Sequence, residues 1–164
     1  MLKQFFGILL LALFTSCGSS KKMPEHGDNS LPPSLPLEIR KNALSYLGTP
    51  YRYGGTSKRG VDCSGLIYMA FLEEEVALPR TSRAMSLQGE RIDLEEARAG
   101  DLLFFGTGKN EKVINHVGYI TRVSPEEIRF IHATTSRGVI ISALHENYWQ
   151  EHFVMARRVI SNRK

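Results

Sequence analysis

From Leu37 onward the chain carries two hydrophobic rhythms, helical at first and strand-like afterwards. Leu37, Ile39, Ala43, Leu44, Tyr46 and Leu47 recur among polar residues at close to helical spacing, and Gly48 with Pro50 supplies a stop, so a first helix is expected over 37–47. Tyr51-Arg52-Tyr53-Gly54-Gly55 is turn-rich. The stretch from Cys63 to Glu75 is mostly apolar until its three closing glutamates, and it predicts a buried helix with Cys63 in or next to the first turn. Thr81 caps a short helix through Gln88, and Asp93-Leu94-Glu95-Glu96 has capping-box spacing for one more turn. After Gly100 the period shortens to two, with strands expected over 102–105, 113–123, 128–133, 138–143 and 154–160. Helices followed by strands predict an α+β domain, its N-terminal helices packed on a central antiparallel sheet of about five strands.

The residues ahead of this domain have a different character. One positive charge in Met1-Leu2-Lys3-Gln4 is followed by the apolar run Phe5–Phe14 and the small residues Thr15-Ser16-Cys17-Gly18, the order of a secretory signal peptide. That run is shorter than the roughly 20 residues a membrane-spanning helix needs. Residues 18–36 are rich in Ser, Lys, Pro, Gly, Asn and Asp, the composition of a flexible linker. The expected division is a leader over 1–16, a tether over 17–36 and one domain over 37–164, which has apolar content for a single core. The net charge of +4, or +3 once Lys3 leaves with the leader, is scattered among acidic residues and gives no reason to expect nucleic-acid binding.

The chain has two cysteines, and Leu13-Phe14-Thr15-Ser16-Cys17 resembles the lipobox of bacterial lipoproteins. That resemblance implies that Cys17 is acylated and becomes the first residue of a mature chain held at a membrane by stable multiple acylation. Cys63 is then left without a disulfide partner. A helix start favours a thiolate, since unpaired amides and the macrodipole stabilise negative charge there. Gly60 and Gly65 permit close backbone approach around it, and Asp62 and Ser64 are polar, unlike the flanks of a cysteine that merely fills a core.

A cysteine nucleophile needs a base within reach and usually a group that orients the base. His26 falls in the tether, and His145 and His152 flank Trp149 in a surface turn or short helix. His116 and His132 lie instead on adjoining strand candidates. Alternation places His116, Gly118 and Ile120 on one face, with Gly118 leaving space beside the imidazole, and places His132 on a face with Ile128 and Phe130. The turn at Ser124-Pro125 makes the two histidines neighbours.

Six blocks in order then resemble the NlpC-type cell-wall peptidases, papain-like cysteine enzymes of bacterial envelopes. They are Leu47–Gly55, Asp62–Leu66, Leu78–Ser82, Ala99–Phe105, Asn115–Tyr119 and Phe130–Ala133. The resemblance implies that Cys63 is the nucleophile, His116 the general base and acid, and His132 the orienter of His116. It further implies that Tyr51 supports the oxyanion and that Asp62 and Ser64 hold the free amino end of a stem peptide. Tyr53 stands where many relatives have Trp, an aromatic exchange expected to keep packing. The implied activity is peptidoglycan hydrolysis through a Cys63 thioester, at the γ-D-glutamyl to meso-diaminopimelate amide, by a monomer without metal or cofactor. Gly18 rather than Asp after Cys17 implies an outer-membrane anchor facing the periplasm. The rival readings are a catalytically silent lipoprotein that binds wall fragments or partner proteins, and a zinc site built from the same three residues.

Overall fold

The structure, a computed structural model, describes residues 34–160; Cys17, His26 and the whole leader lie outside the described residues. Helix α1 runs over Leu35–Leu44 with a proline in its first turn, where the missing amide costs nothing. It starts two residues earlier than expected, inside the stretch read as tether: Leu35 is buried and the Tyr119 hydroxyl donates to the Pro36 carbonyl at 2.6 Å. Strands β1 (Thr56–Ser57) and β2 (Gly60–Val61) form a small hairpin in the glycine-rich loop. It delivers the chain to α2 (Cys63–Leu72).

Helix α2 is apolar on nearly all sides, with Leu66, Ile67, Ala70 and Phe71 buried, as suits a helix enclosed between α1 and the sheet. Asp62 is its N-cap and accepts from the Gly65 amide at 2.6 Å. The short helix α3 (Ser82–Met85) is capped by Thr81, and a single 3-10 turn occupies Leu94–Glu96. Asp93 precedes that turn without making the expected side-chain cap.

The sheet contains β3 (Glu90–Ile92), β4 (Leu102–Phe105), β5 (His116–Val123), β6 (Ile128–Thr134), β7 (Gly138–Ala143) and β8 (Phe153–Arg158). Its order is β3-β8-β4-β5-β6-β7, antiparallel throughout. Five strands match the expected ones, and β3 is the addition. Its Glu90 and Arg91 are exposed and only Ile92 turns inward, too short a pattern to read as a strand. β5 begins at His116 instead of Val113, the preceding residues forming an exposed loop.

Both faces of the sheet are covered. Leu102 and Phe104 pack with Val117, Tyr119, α1 and α2 on one face. Leu103 and Phe105 pack with Ile120, Phe130 and Trp149 on the other. Strict alternation in β4 sends two of its four fully buried residues each way. Trp149 belongs to α4 (Asn147–His152), which closes the second face, so this residue is a core element of a short helix. Asp101, just before β4, ties the sheet margin by a buried ion pair with Arg158, which approaches it at 2.9 Å through two nitrogens.

Candidate active site

The end of β5 is where the two faces of the sheet meet functionally. Cys63 comes from the helical side, with its thiol aimed at the Asn115 carbonyl 3.9 Å away. His116 and His132 come from the other side. Register pairs Tyr119 with Ile131 and Ile120 with Phe130, which brings the two histidine-bearing strand segments side by side. His116 Nε2 lies 3.1 Å from His132 Nδ1. Cys63, His116 and Tyr51 line one cavity of about 490 Å3 together with Arg137, Tyr148 and Trp149.

His132 is fully buried, and its second nitrogen, Nε2, lies 3.0 Å from Ser142 Oγ on β7. Both ring nitrogens are therefore engaged. Trp149 holds the pair from above, stacked on His116 with 5.4 Å between ring centroids and edge-on to His132 at 4.6 Å. Gly118 has a different use from the one expected. A side chain there would collide with the Phe130 ring, so the space it leaves is filled by Phe130, which itself packs on His132 with 4.8 Å between centroids.

The apolar surroundings set the charges. Burial lowers the His116 pKa from 6.5 to about 4. Burial, aided by the positive charge that His116 and Arg137 bring when protonated, takes His132 to about 2. Both rings are neutral at neutral pH. Burial also pushes the Cys63 thiol above its ordinary value, with the Asp62 charge adding to it, while the amides of Val117, Ser64 and Cys63 pull the other way. The helix start therefore acts as expected on Cys63 but does not prevail against enclosure. Enclosure thus favours the uncharged forms of the thiol and of both rings.

Asp62 and Ser64 are committed within the protein. The Asp62 carboxylate accepts from Gly65 and Gly54 amides at 2.6 and 2.7 Å, from Arg80 through both terminal nitrogens at 2.9 Å, and from the Ser64 hydroxyl at 3.3 Å. Ser64 Oγ in turn accepts from Arg80 at 2.9 Å. A carboxylate offers about four lone-pair positions, so those of Asp62 are engaged within the protein, while the Ser64 hydroxyl keeps one lone pair. Burial raises the Asp62 pKa, yet the Arg80, Gly65 and Gly54 hydrogen bonds outweigh it and hold the group below the usual carboxylate range. Tyr53 also departs from expectation: it is 90% exposed and packs on nothing.

Three contributors were not read from sequence. Ser142 is a hydroxyl inside an otherwise apolar strand, a signal visible once β7 is placed. Trp149 is the chain's single tryptophan, and its neighbours His145 and His152 drew attention away from it. Arg80 is recognisable only after Asp62 is known to need a partner.

A cysteine at the start of a buried helix, set against paired histidines on an antiparallel sheet, defines a papain-like α+β protein. The NlpC/P60 family matches residues 48–158, and the chain belongs to it. Over 158 residues it is 37% identical to a protein of Escherichia coli (strain K12) named "Probable endopeptidase NlpC", covering 95% of this chain and 99% of that one. It is 38% identical over 124 residues to "Murein DD-endopeptidase MepS/Murein LD-carboxypeptidase" of the same organism, covering 75% of this chain and 62% of the relative. A solved NLP/P60-family structure from Staphylococcus aureus, described as similar to lipoprotein, superposes with a TM-score of 0.69 at 34% identity. That likeness covers 84% of this chain and 46% of the staphylococcal one, so the chain spans less than half of its length.

Proposed function

We propose that the protein is a cysteine endopeptidase that cleaves amide bonds in peptidoglycan stem peptides, with Cys63 as nucleophile, His116 as base and acid, and His132 as orienter. The observation that carries this reading is the cavity in which Cys63 meets His116, itself 3.1 Å from His132. The names of the family relatives supply the substrate class: murein endopeptidase for one, endopeptidase for another.

We assign one working tautomer along the hydrogen-bond chain. His132 is neutral, and its Nε2–H donates to Ser142 Oγ, leaving Nδ1 to accept from His116 Nε2–H. His116 then keeps a lone pair on Nδ1 for the thiol proton. As Cys63 Sγ bonds to the substrate carbonyl carbon, that proton moves to Nδ1 and the carbonyl electrons move to oxygen. The Cys63 backbone amide and the Tyr51 hydroxyl hold the oxyanion. Burial, followed by the Cys63 and Asp62 charges, raises the Tyr51 pKa, which keeps this hydroxyl a donor. Collapse breaks the C–N bond while His116 returns its proton to the departing amine. Water, deprotonated by His116, then opens the thioester and restores the thiol.

Asp62 and Ser64 hold the free amino end of the stem peptide, and Arg80 fixes Asp62 at the helix start. The γ-D-glutamyl to meso-diaminopimelate amide is the bond we assign, with lipidation at Cys17 holding the monomeric enzyme at the envelope, at the outer membrane. The name of the staphylococcal neighbour as similar to lipoprotein supports the anchor. A zinc site made of Cys63, His116 and His132 is disfavoured because His132 spends both nitrogens on His116 and Ser142. The decisive test is mass spectrometry of products from defined muropeptides, with Cys63→Ala alongside. Release of two stem fragments by the native chain and none by the variant is expected; full release by Cys63→Ala overturns the assignment.

A further inference from the structure

Two arginines stand close to the nucleophile, and they differ in what they face. Arg80 is neutralised by Asp62 and does not line the cavity. Arg137 does line it, is exposed, and among the described residues has no ion-pair or side-chain hydrogen-bond partner. No other Lys or Arg lines that cavity, and its one carboxylate, Glu146, is turned to the Ala143 amide at 2.8 Å. The field of Arg137 reaches His132.

The turn that presents Arg137 is rigid. Thr134 Oγ1 accepts from the Arg137 amide and donates to the Gly138 carbonyl, both at 3.1 Å. Gly138 has φ +67°, and a side chain on it would strike the Thr49 carbonyl. The Val139 amide donates to the Thr49 carbonyl at 2.9 Å, and the Gly48 amide to the Val139 carbonyl at 3.0 Å. The turn is thus fastened to the loop that carries Tyr51. Thr135 and Ser136, both exposed, line the cavity alongside Arg137 and bring two hydroxyls to it.

We propose that Arg137, with the Thr135 and Ser136 hydroxyls, is a carboxylate-binding subsite that makes the enzyme select peptides bearing a free carboxylate beside the scissile amide. An unpaired guanidinium on a fixed turn is preorganised for a bidentate carboxylate, and lysine matches that geometry poorly. The inference rests on the peptidase reading and names the selectivity of the same site. Peptides of a bacterial wall offer carboxylates on both residues flanking the amide, and amidation of either removes the charge without changing shape.

The test uses the full chain with four synthetic stem peptides: free acid, carboxamide on the acyl-side residue, carboxamide on the amine-side residue, and both. The native enzyme is expected to prefer the free acid over one of the single amides by about 10-fold or more in kcat/KM, and that arm identifies the bound carboxylate. Arg137→Ala should erase the preference, chiefly through KM; Arg137→Lys should restore part of it. Binding of the same peptides to Cys63→Ala, by calorimetry, gives a readout free of turnover. Equal losses on acid and amide peptides, or equal affinity of Cys63→Ala for both, overturn the subsite. Discriminating binding without turnover by the native chain overturns the peptidase reading alone.

Discussion

His132 Nδ1 lies 3.1 Å from His116 Nε2 and its Nε2 lies 3.0 Å from Ser142 Oγ, so the imidazole that faces the cavity is held by a second imidazole with both nitrogens engaged. This arrangement orients without adding charge, because burial keeps His132 neutral. An anionic orienter would also stabilise an imidazolium at His116. In the mechanism proposed above, the second ring supplies an acceptor and a direction only.

Replacement of that orienter has a graded expectation. His132→Ala should lower kcat by at least ~100-fold, since mis-set tautomers in comparable triads cost more than that. His132→Asn, which retains an amide acceptor, should recover part of the loss. Ser142→Ala should cost about 10-fold, in kcat more than in KM. Steady-state kinetics on one muropeptide separates these cases, and an unaffected His132→Ala would remove His132 from the machinery.

The pH profile follows from neutral His116. Its conjugate acid has a pKa of about 4, so the acid limb of kcat/KM should fall near pH 4 and not near 6.5. The raised thiol predicts that alkylation of Cys63 by iodoacetamide accelerates only at alkaline pH. A plateau of fast alkylation at pH 5 to 6 would reveal a preformed thiolate–imidazolium pair and contradict both statements.

Stability should also depend on pH through the same buried rings. Each histidine has a folded pKa below its unfolded value, so its contribution is complete above pH 6.5 and is lost as pH falls toward the folded value. The slope is about 1.4 kcal/mol per pH unit for each titrating ring. Asp62, also depressed, keeps its contribution above the ordinary carboxylate value and loses it only in stronger acid. Urea midpoints should therefore fall steadily between pH 6.5 and 4, and a flat curve there would mean the rings are not buried.

Arg80→Ala leaves Asp62 inside the fold with amide donors alone. A loss of about 2 kcal/mol is expected, discounted for the one-third exposure of Arg80. Activity should fall further than stability explains, since the start of α2 carries Cys63. Trp149→Ala should cost about 3 kcal/mol and free both histidines at once. Thermal melts alongside active-site titration with an alkylating reagent would separate folding from positioning.

The closeness of the two histidines was legible because they sit at alternating positions of two strands joined by a tight turn, and the helix that begins at Cys63 was legible from its apolar run. The topology class was legible for the same reason, through the change of period at Gly100. What escaped depended on pairing across elements. The short edge strand β3 has too few inward residues to show a period, and Ser142 becomes significant only when β7 lies beside β6. The pull of the helix start on Cys63 was legible because it is a local property, whereas the burial that opposes it arises from the whole fold. Tyr53 was misread for the converse reason: an aromatic in a dense motif implied packing, yet the turn at Tyr53-Gly54 leaves it in solvent.

The bond from Tyr119 to the Pro36 carbonyl gives the fold a mechanical property. Tyr119 belongs to the strand that begins at His116. That hydrogen bond ties the first turn of α1 to β5 three residues from His116, so one strand sets both the seat of the helix start and the place of the imidazole.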